Sequence, residues 1–553
     1  MSTATASPTT HRTTSAGGRE PLTGTGTLLR FMLRRDRVRL PVWLVGISVF
    51  VPYLFATYQE LFPTQAELAQ MTMFTSGPMI GLLGGPGYGL GPDELSYFTV
   101  FNALYVLYLL LAIALMNILL VSRHTRVEEQ TGRAELIRAN VVGRHAPLAA
   151  TTILAVGANL LVSVFILTGL RAFDAPMTGA VLVAAGAGSF GLVFAGVSIT
   201  AVQISEYSRV SGGIAAGTLG AAFVLRAAGD MAGEHGSVLS WITPFAWSQQ
   251  TRAFTDERWW PLGISVVVAL ALIVAGFVLS TRRDLGAGLR ATRRGRTGAA
   301  AWLSAPLPLA WRLHRGAVRG WAIGLILAGL VYGSTTQPVA DSFADLSGAL
   351  ADMLTGGSAD LLGGFLNMMV VIMVITTAVF VVLAMSKVRS EETEGRAEPV
   401  LATAVSRPAW LAGHLLVTAV AAVVLLVAAC AAMGVLAAAG TGDWSLFGEL
   451  ALAGLIYSPA LLVILGLAGA LYGLHPRLLG LASALVGFGA LVAIFGDMLQ
   501  LPDWLLAISP WQHTPGYPVA EVTALPLIIQ SAVFVALALA GVVAIGRRDL
   551  RSV

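Results

Sequence analysis

Twelve runs of apolar residues, each close to the length that crosses a bilayer, constrain this chain more than anything else in it. About 20 such residues are needed to span the hydrocarbon as a helix. The runs cover residues 40–58, 97–121, 147–169, 176–202, 210–228, 260–281, 318–335, 361–385, 409–436, 448–472, 479–496 and 523–546. They are continuous instead of alternating, so they read as helices and not as barrel strands. Of 553 residues only 12% are charged, against roughly 25% in a soluble domain, and the mean hydropathy is +0.77. A chain this long and this poor in charge cannot be one water-soluble globule. It is expected to be an all-α polytopic membrane protein.

Basic residues orient the spans. With a cytosolic N-terminus, thirty Arg and Lys fall on the inner side and four, Arg171, Arg226, Arg252 and Arg258, on the outer side. Both termini are therefore expected in the cytosol. Residues 1–24, rich in Ser, Thr and Gly, read as a disordered cytosolic tail and not as a signal peptide. After them, Thr27 to Val38 places Arg30, Arg34 and Arg37 on one arc of a helix, with Leu28, Leu29, Phe31, Met32 and Leu33 over most of the rest. That pattern suits an interfacial elbow helix whose Arg residues meet anionic membrane lipid.

The chain also repeats itself. Arg126-Val-Glu128-Glu129-Gln-Thr-Gly132-Arg133-Ala134-Glu135 recurs 263 residues later as Arg389-Ser-Glu391-Glu392-Thr-Glu-Gly395-Arg396-Ala397-Glu398, and extension to Arg144 and Arg407 gives ten identities in nineteen positions. Gly229-Asp230-Met231 recurs as Gly496-Asp497-Met498, Ile242-Thr243-Pro244 as Ile508-Ser509-Pro510, and Arg282-Arg283-Asp284-Leu285 as Arg547-Arg548-Asp549-Leu550. Trp43 and Trp321 open the first span of each copy. These collinear matches predict two six-helix repeats related by an axis along the membrane normal. The first half covers 25–288, a basic cytosolic linker 289–306, and the second half 307–553.

The repeated acidic segment lies just inside the second span of each half. Glu129 precedes Arg133, and Glu392 precedes Arg396, by four residues, the favourable order for a pair on one helix face. Gly132 and Gly395 weaken a helix relative to Ala, so a close approach to the backbone is expected there. A short amphipathic helix of mixed charge is what a docking element needs. On these residues the chain resembles the permease of a type V ABC exporter, more narrowly the fused twelve-span exporters of polyketide antibiotics of the tetronasin-transport type. The resemblance implies an elbow helix and a cytosolic coupling helix in each half. It also implies two copies of a separate ABC ATPase carrying ATP and Mg, and outward movement of a hydrophobic or amphipathic small molecule such as an antibiotic. Carried over by position, Glu128, Glu129, Gly132, Arg133 and Glu135 would couple one ATPase, and Glu391, Glu392, Gly395, Arg396 and Glu398 the other. Pro399 stands where the first copy has Leu136 and is expected to end the second coupling helix early.

Other chemistries find little support. A P-loop needs Gly-Lys followed by Ser or Thr, whereas the one Lys, Lys387, follows Ser386 and precedes Val388. The chain is thus read as a transport subunit with no catalytic residue, metal or cofactor of its own and no nucleic-acid partner. The one cysteine, Cys430, allows no intrachain disulfide. Eight scattered His form no metal-ligand pair at helical spacing, and the larger polar groups inside the runs are Asn102, Asn117, Asn159, Gln203 and Asn367. A proton-coupled antiporter, which keeps ionisable groups at membrane depth, is the alternative; its candidates Arg226, Asp230 and Asp497 sit near span ends. An ABC exporter of a lipid or glycolipid, and a membrane-embedded transferase, also stay open. The aromatic segments 229–259 and 497–522 read either as interfacial belts or, by resemblance, as re-entrant gates, and the Gly-rich segment 76–92 as a loop. Heavy Arg, Ala and Gly usage with one Lys is what a GC-rich bacterial genome encodes, and so a bacterial plasma membrane is expected.

Overall fold

In the computed structural model, residues 20–549 are described except 74–79, 82–83, 140–141, 234, 285, 291–297, 299, 345–360 and 496–501. Among the described residues there is no strand. Twelve helices are long and apolar enough to cross a membrane, as a chain must arrange where lipid cannot satisfy its backbone groups. The molecule divides into two compact units, Met1–Arg294 and Gly295–Val553, each holding six of the twelve.

The first unit opens on α1 (Thr25–Arg35), the expected elbow helix, followed by α2 (Arg39–Leu61). Its second span enters through a single π-turn at Phe101–Tyr105 and continues as α3 (Val106–His124). Two short helices follow, α4 (Arg126–Gln130) and α5 (Arg133–Arg138). The remaining spans are α6 (Ala146–Arg171), α7 (Met177–Ile204), α8 (Ser208–Met231) and α9 (Trp260–Ser280). The second unit runs α10 (Pro306–Ser334), α11 (Leu361–Thr393), the short α12 (Glu398–Leu401) and α13 (Arg407–Thr441). Its fourth span is broken into α14 (Ser445–Ile456) and α15 (Ser458–Leu474), and α16 (Leu479–Phe495) and α17 (Ala524–Arg547) complete it. The break at Tyr457 has a local cause. Pro459 lacks the N–H that would bond the Leu455 carbonyl one turn back, and the helix restarts with Pro in its first turn.

The second and fourth spans are the most enclosed in each unit: 67% and 78% of their apolar windows are buried in the first, 61% and 61% in the second, while the sixth span is 17% buried in both. Close helix crossings rest on small residues, as expected where lipid offers no hydrophobic drive to associate. A Cβ placed on Gly473 of α15 would lie 2.3 Å from the Gly541 carbonyl oxygen of α17. Some larger polar groups inside the spans pair with each other. Asn117 Nδ2 donates to Asn159 Oδ1 at 3.0 Å and Asn159 Nδ2 to Asn117 Oδ1 at 2.8 Å, while each also donates to the carbonyl one turn back. In the second unit Tyr457 donates to Asn367 Oδ1 at 2.7 Å. These residues join helices. The crossing makes a direct prediction. Gly473→Ala overpacks backbone against backbone and is expected to cost about 1–3 kcal/mol, read as a lower melting temperature in detergent. Gly487→Ala, whose Cβ meets nothing within 4 Å, is expected to be neutral or slightly stabilising through helix propensity.

Candidate functional site

The repeated acidic segment does not form one helix. In the first unit Gly132 adopts φ +73° and separates α4 from α5; in the second Gly395 adopts φ +71° between α11 and α12. That left-handed region favours glycine. Nothing lies within 4 Å of a Cβ built on either residue, so backbone conformation, and not a close neighbour, explains both glycines. The expected Glu129–Arg133 and Glu392–Arg396 pairs along one helix face are replaced for the same reason: the chain turns between the partners. Pro399 also differs from expectation. It sits in the first turn of α12 and starts that helix, where a missing N–H costs nothing.

The second glutamate of each motif turns inward instead. In the first unit Arg283, just past α9, donates to Glu129 Oε1 at 2.8 Å and Oε2 at 3.0 Å. Arg126, fully buried, donates to Glu129 Oε2 at 2.7 Å and to the carbonyls of Val202 and Ala287. Gln203 at the end of α7 accepts from Arg283 Nε at 2.6 Å. In the second unit Arg548, just past α17, donates to Glu392 Oε1 at 2.7 Å and Oε2 at 3.0 Å, and the Tyr472 hydroxyl on α15 donates to the same carboxylate. Each unit thus fastens its motif to the end of its sixth span by a bidentate clamp, with a polar residue of the fourth span as third member. Two-point guanidinium–carboxylate pairing fixes orientation as well as charge.

The first glutamates differ between units. Glu128 pairs with Arg35 of α1 and lies 3.9 Å from Arg133, tying the motif to the elbow helix. Glu391 pairs with Arg396, which also binds Glu394 within the same turn. The hydrogen bonds that Arg396 donates to Glu391 and then to Glu394 hold its guanidinium above its ordinary pKa. Arg133, Glu135, Arg396 and Glu398 are exposed, whereas Glu128, Glu129, Glu391 and Glu392 are buried or nearly so. The surface available to a partner is therefore the later part of each motif, with exposed Leu136 beside it in the first.

Comparison with known proteins gives this arrangement its family. The chain matches the family described as "Multidrug efflux system permease Rv1217c, C-terminal domain" over residues 26–279 and 303–545. It is 37% identical over 554 residues, covering 98% of both chains, to the "Multidrug efflux system permease protein Rv1217c" of Mycobacterium tuberculosis (strain ATCC 25618 / H37Rv). The chain belongs to this permease family. It is a multi-pass membrane protein.

At the opposite end of the permease's first unit, the expected span-end ionisable groups form a second buried site. Arg226 Nη1 donates to Asp230 Oδ2 at 3.2 Å and to the Gly81 carbonyl at 2.9 Å, and Ser240 donates to Asp230 Oδ1 at 2.6 Å. The described part of the Gly-rich loop packs here: Gln249 donates to the Gly84 carbonyl at 2.7 Å and Tyr88 to Gln250 at 2.8 Å. The aromatic segments contain short helices, Val238–Trp241, Pro244–Gln249 and Asp503–Leu506, and a 3-10 turn at Pro510–His513. Trp511 is buried and donates to the Gly489 carbonyl, whereas Trp259, Trp260 and Trp504 are exposed. Asp497, Gly356 and Gly357 lie outside the described residues. The structure also brings together two histidines a hundred positions apart: His314 Nε2 and His414 Nδ1 are 3.0 Å apart. Among the described residues no group of three or more His, Cys, Asp or Glu could hold a metal.

Two predictions test the clamps and turns. Glu392→Gln or Arg548→Gln leaves a partner without its counter-charge, with an expected loss of about 3–5 kcal/mol; the double variant should lose much less than the sum, measured as a double-mutant cycle of unfolding. Gly132→Ala forces an L-residue into the left-handed region at about 1–2 kcal/mol, and Gly132→Asn should lose less.

Proposed function

We propose that this protein is the transmembrane permease subunit of an ATP-driven ABC exporter in a bacterial plasma membrane. It moves hydrophobic or amphipathic small molecules, antibiotic or drug-like, out of the cell. Two copies of a separate ATPase subunit, which carry ATP and Mg, power it from the cytosolic side, where both termini lie. The carrying observation is that the Glu-Glu-x-x-Gly-Arg segment occurs twice, follows the second span of its unit each time, and is fastened each time by the Arg after the sixth span.

A clamp of that kind supplies what force transmission requires. A partner pushing on Arg133 and Glu135, or on Arg396 and Glu398, acts on a turn rigidly joined to the second, fourth and sixth spans. Glu128 extends the linkage to the elbow helix in the first unit. The duplicated sequence supports two parallel-related halves with one docking element each. The relative's name supports drugs as cargo. Thirty inner against four outer basic residues support placing the motifs in the cytosol.

The test uses the full chain purified alone and with a candidate standalone ABC ATPase from the same organism. Alone it is expected to hydrolyse no ATP; with the ATPase it should bind two copies and show drug-stimulated hydrolysis. Charge reversal at the exposed residues, Glu135→Arg with Glu398→Arg, should weaken ATPase binding at least tenfold with an unchanged melting temperature. Nucleotide hydrolysis by the isolated chain would sink the proposal, and export that stops with the proton gradient while ATP persists would favour the antiporter.

A further inference from the structure

Between the elbow helix and the acidic motif of the first unit lies a cavity of about 80 Å³. Its polar wall carries Arg35, Arg144 and Arg283 against Glu128 and Glu129. Three lining guanidinium groups face two carboxylates that Arg126 and Arg133 also approach, so positive charge is in excess there. Its apolar wall comes from Leu28, Phe31 and Met32 of α1, with Ile137 and Leu148. Glu128 is 7% exposed, and its Oε1 is taken by Arg35. Its Oε2 is buried and has no hydrogen-bond partner among the described residues. A buried carboxylate oxygen left without a donor is costly, so an occupant should bring an O–H or N–H to it. Arg144 is exposed, and among the described residues its Nη2 donates to the Thr281 carbonyl at 2.8 Å.

We infer that this cavity is a binding site for the headgroup of a membrane phospholipid whose phosphate diester carries a hydrogen-bond donor, as phosphatidylglycerol and phosphatidylethanolamine do. The monoanionic phosphate answers that positive excess and faces Arg144 and Arg283. The head hydroxyl or ammonium donates to Glu128 Oε2. The acyl chains leave along Leu28, Phe31 and Met32, on a helix whose Phe31 and Leu33 are about half exposed. Inorganic phosphate would satisfy the charge but leave the apolar wall unused. The site is independent of how transport is driven. It sits where Glu128 joins the elbow to the motif, so occupancy would tighten that joint.

The experiment is native mass spectrometry of the full chain released from nanodiscs made with phosphatidylglycerol, phosphatidylethanolamine or phosphatidylcholine of the same acyl chains. Phosphatidylglycerol and phosphatidylethanolamine should be retained at least fivefold better than phosphatidylcholine, whose head has the phosphate but no donor; comparing the first two separates a hydroxyl from an ammonium source. Arg144→Gln should lower retention several-fold while the melting temperature stays put, and Ile137→Trp, which fills the cavity, should do the same. Millimolar inorganic phosphate should not displace the lipid. Equal retention of phosphatidylcholine, a wild-type chain that strips free of phospholipid, displacement by phosphate, or indifference to both variants in folded protein would each overturn the assignment.

Discussion

The architecture of each unit depends on one carboxylate–guanidinium clamp: Glu129 with Arg283 in the first, Glu392 with Arg548 in the second. A bundle of apolar helices has little to fix its register, because Leu and Val pack almost as well against lipid as against each other. Directional bonds are therefore disproportionately informative. The clamp joins positions more than 150 residues apart in sequence and closes the sixth span onto the end of the second. In the second unit, removing either charge takes away the other's ion-pair partner, whereas in the first Arg126 still holds Glu129. The wild-type pair is better regarded as a device that specifies one arrangement than as a large net source of stability.

Inside the spans a complementary rule operates. Approach is governed by residues with little or no side chain, as where Gly473 meets Gly541, and the larger polar side chains Asn117 and Asn159 satisfy each other. The Asn117–Asn159 pair uses its amide groups reciprocally, leaving none to attract water or cargo. Polarity at membrane depth, which from sequence could mark a pathway, is here fastening. The charged groups concentrate at the span ends, in the clamps at one end and the Arg226–Asp230 site at the other.

Span number and helix class were legible because about 20 consecutive apolar residues admit few other structures. The elbow helix was legible from the spacing of its Arg residues. The geometry of the motif was not. Spacing of four between Glu and Arg suggests a helix-face pair, but the same Gly that marks the motif supplies a positive φ and turns the chain between them. The recurring Arg-Arg-Asp-Leu was visible as a repeat, yet nothing local says that its second Arg returns to the motif's second Glu. The signal available was that both elements recur together with fixed order, each with an unpaired charge. Tyr472, Gln203 and the His314–His414 pair carried no such signal, since their partners come from distant helices.

The two units solve the same problem unequally, and the differences fall where a partner would feel them. In the first, Glu128 reaches out of the motif to Arg35, so ion pairs join the turn to both the elbow helix and the end of the sixth span. In the second, Glu391 is held by Arg396 within its own turn, and the link to the opening helix of the unit passes instead from Lys387 to the Leu313 carbonyl. A charged pair that spans two elements has been replaced by one that stiffens a single turn plus a cation on a backbone oxygen. An identical push on the two motifs would consequently spread further into the first unit than into the second. With the second glutamate of each motif held in a clamp, the first glutamate ties one turn to the elbow helix and the other to itself.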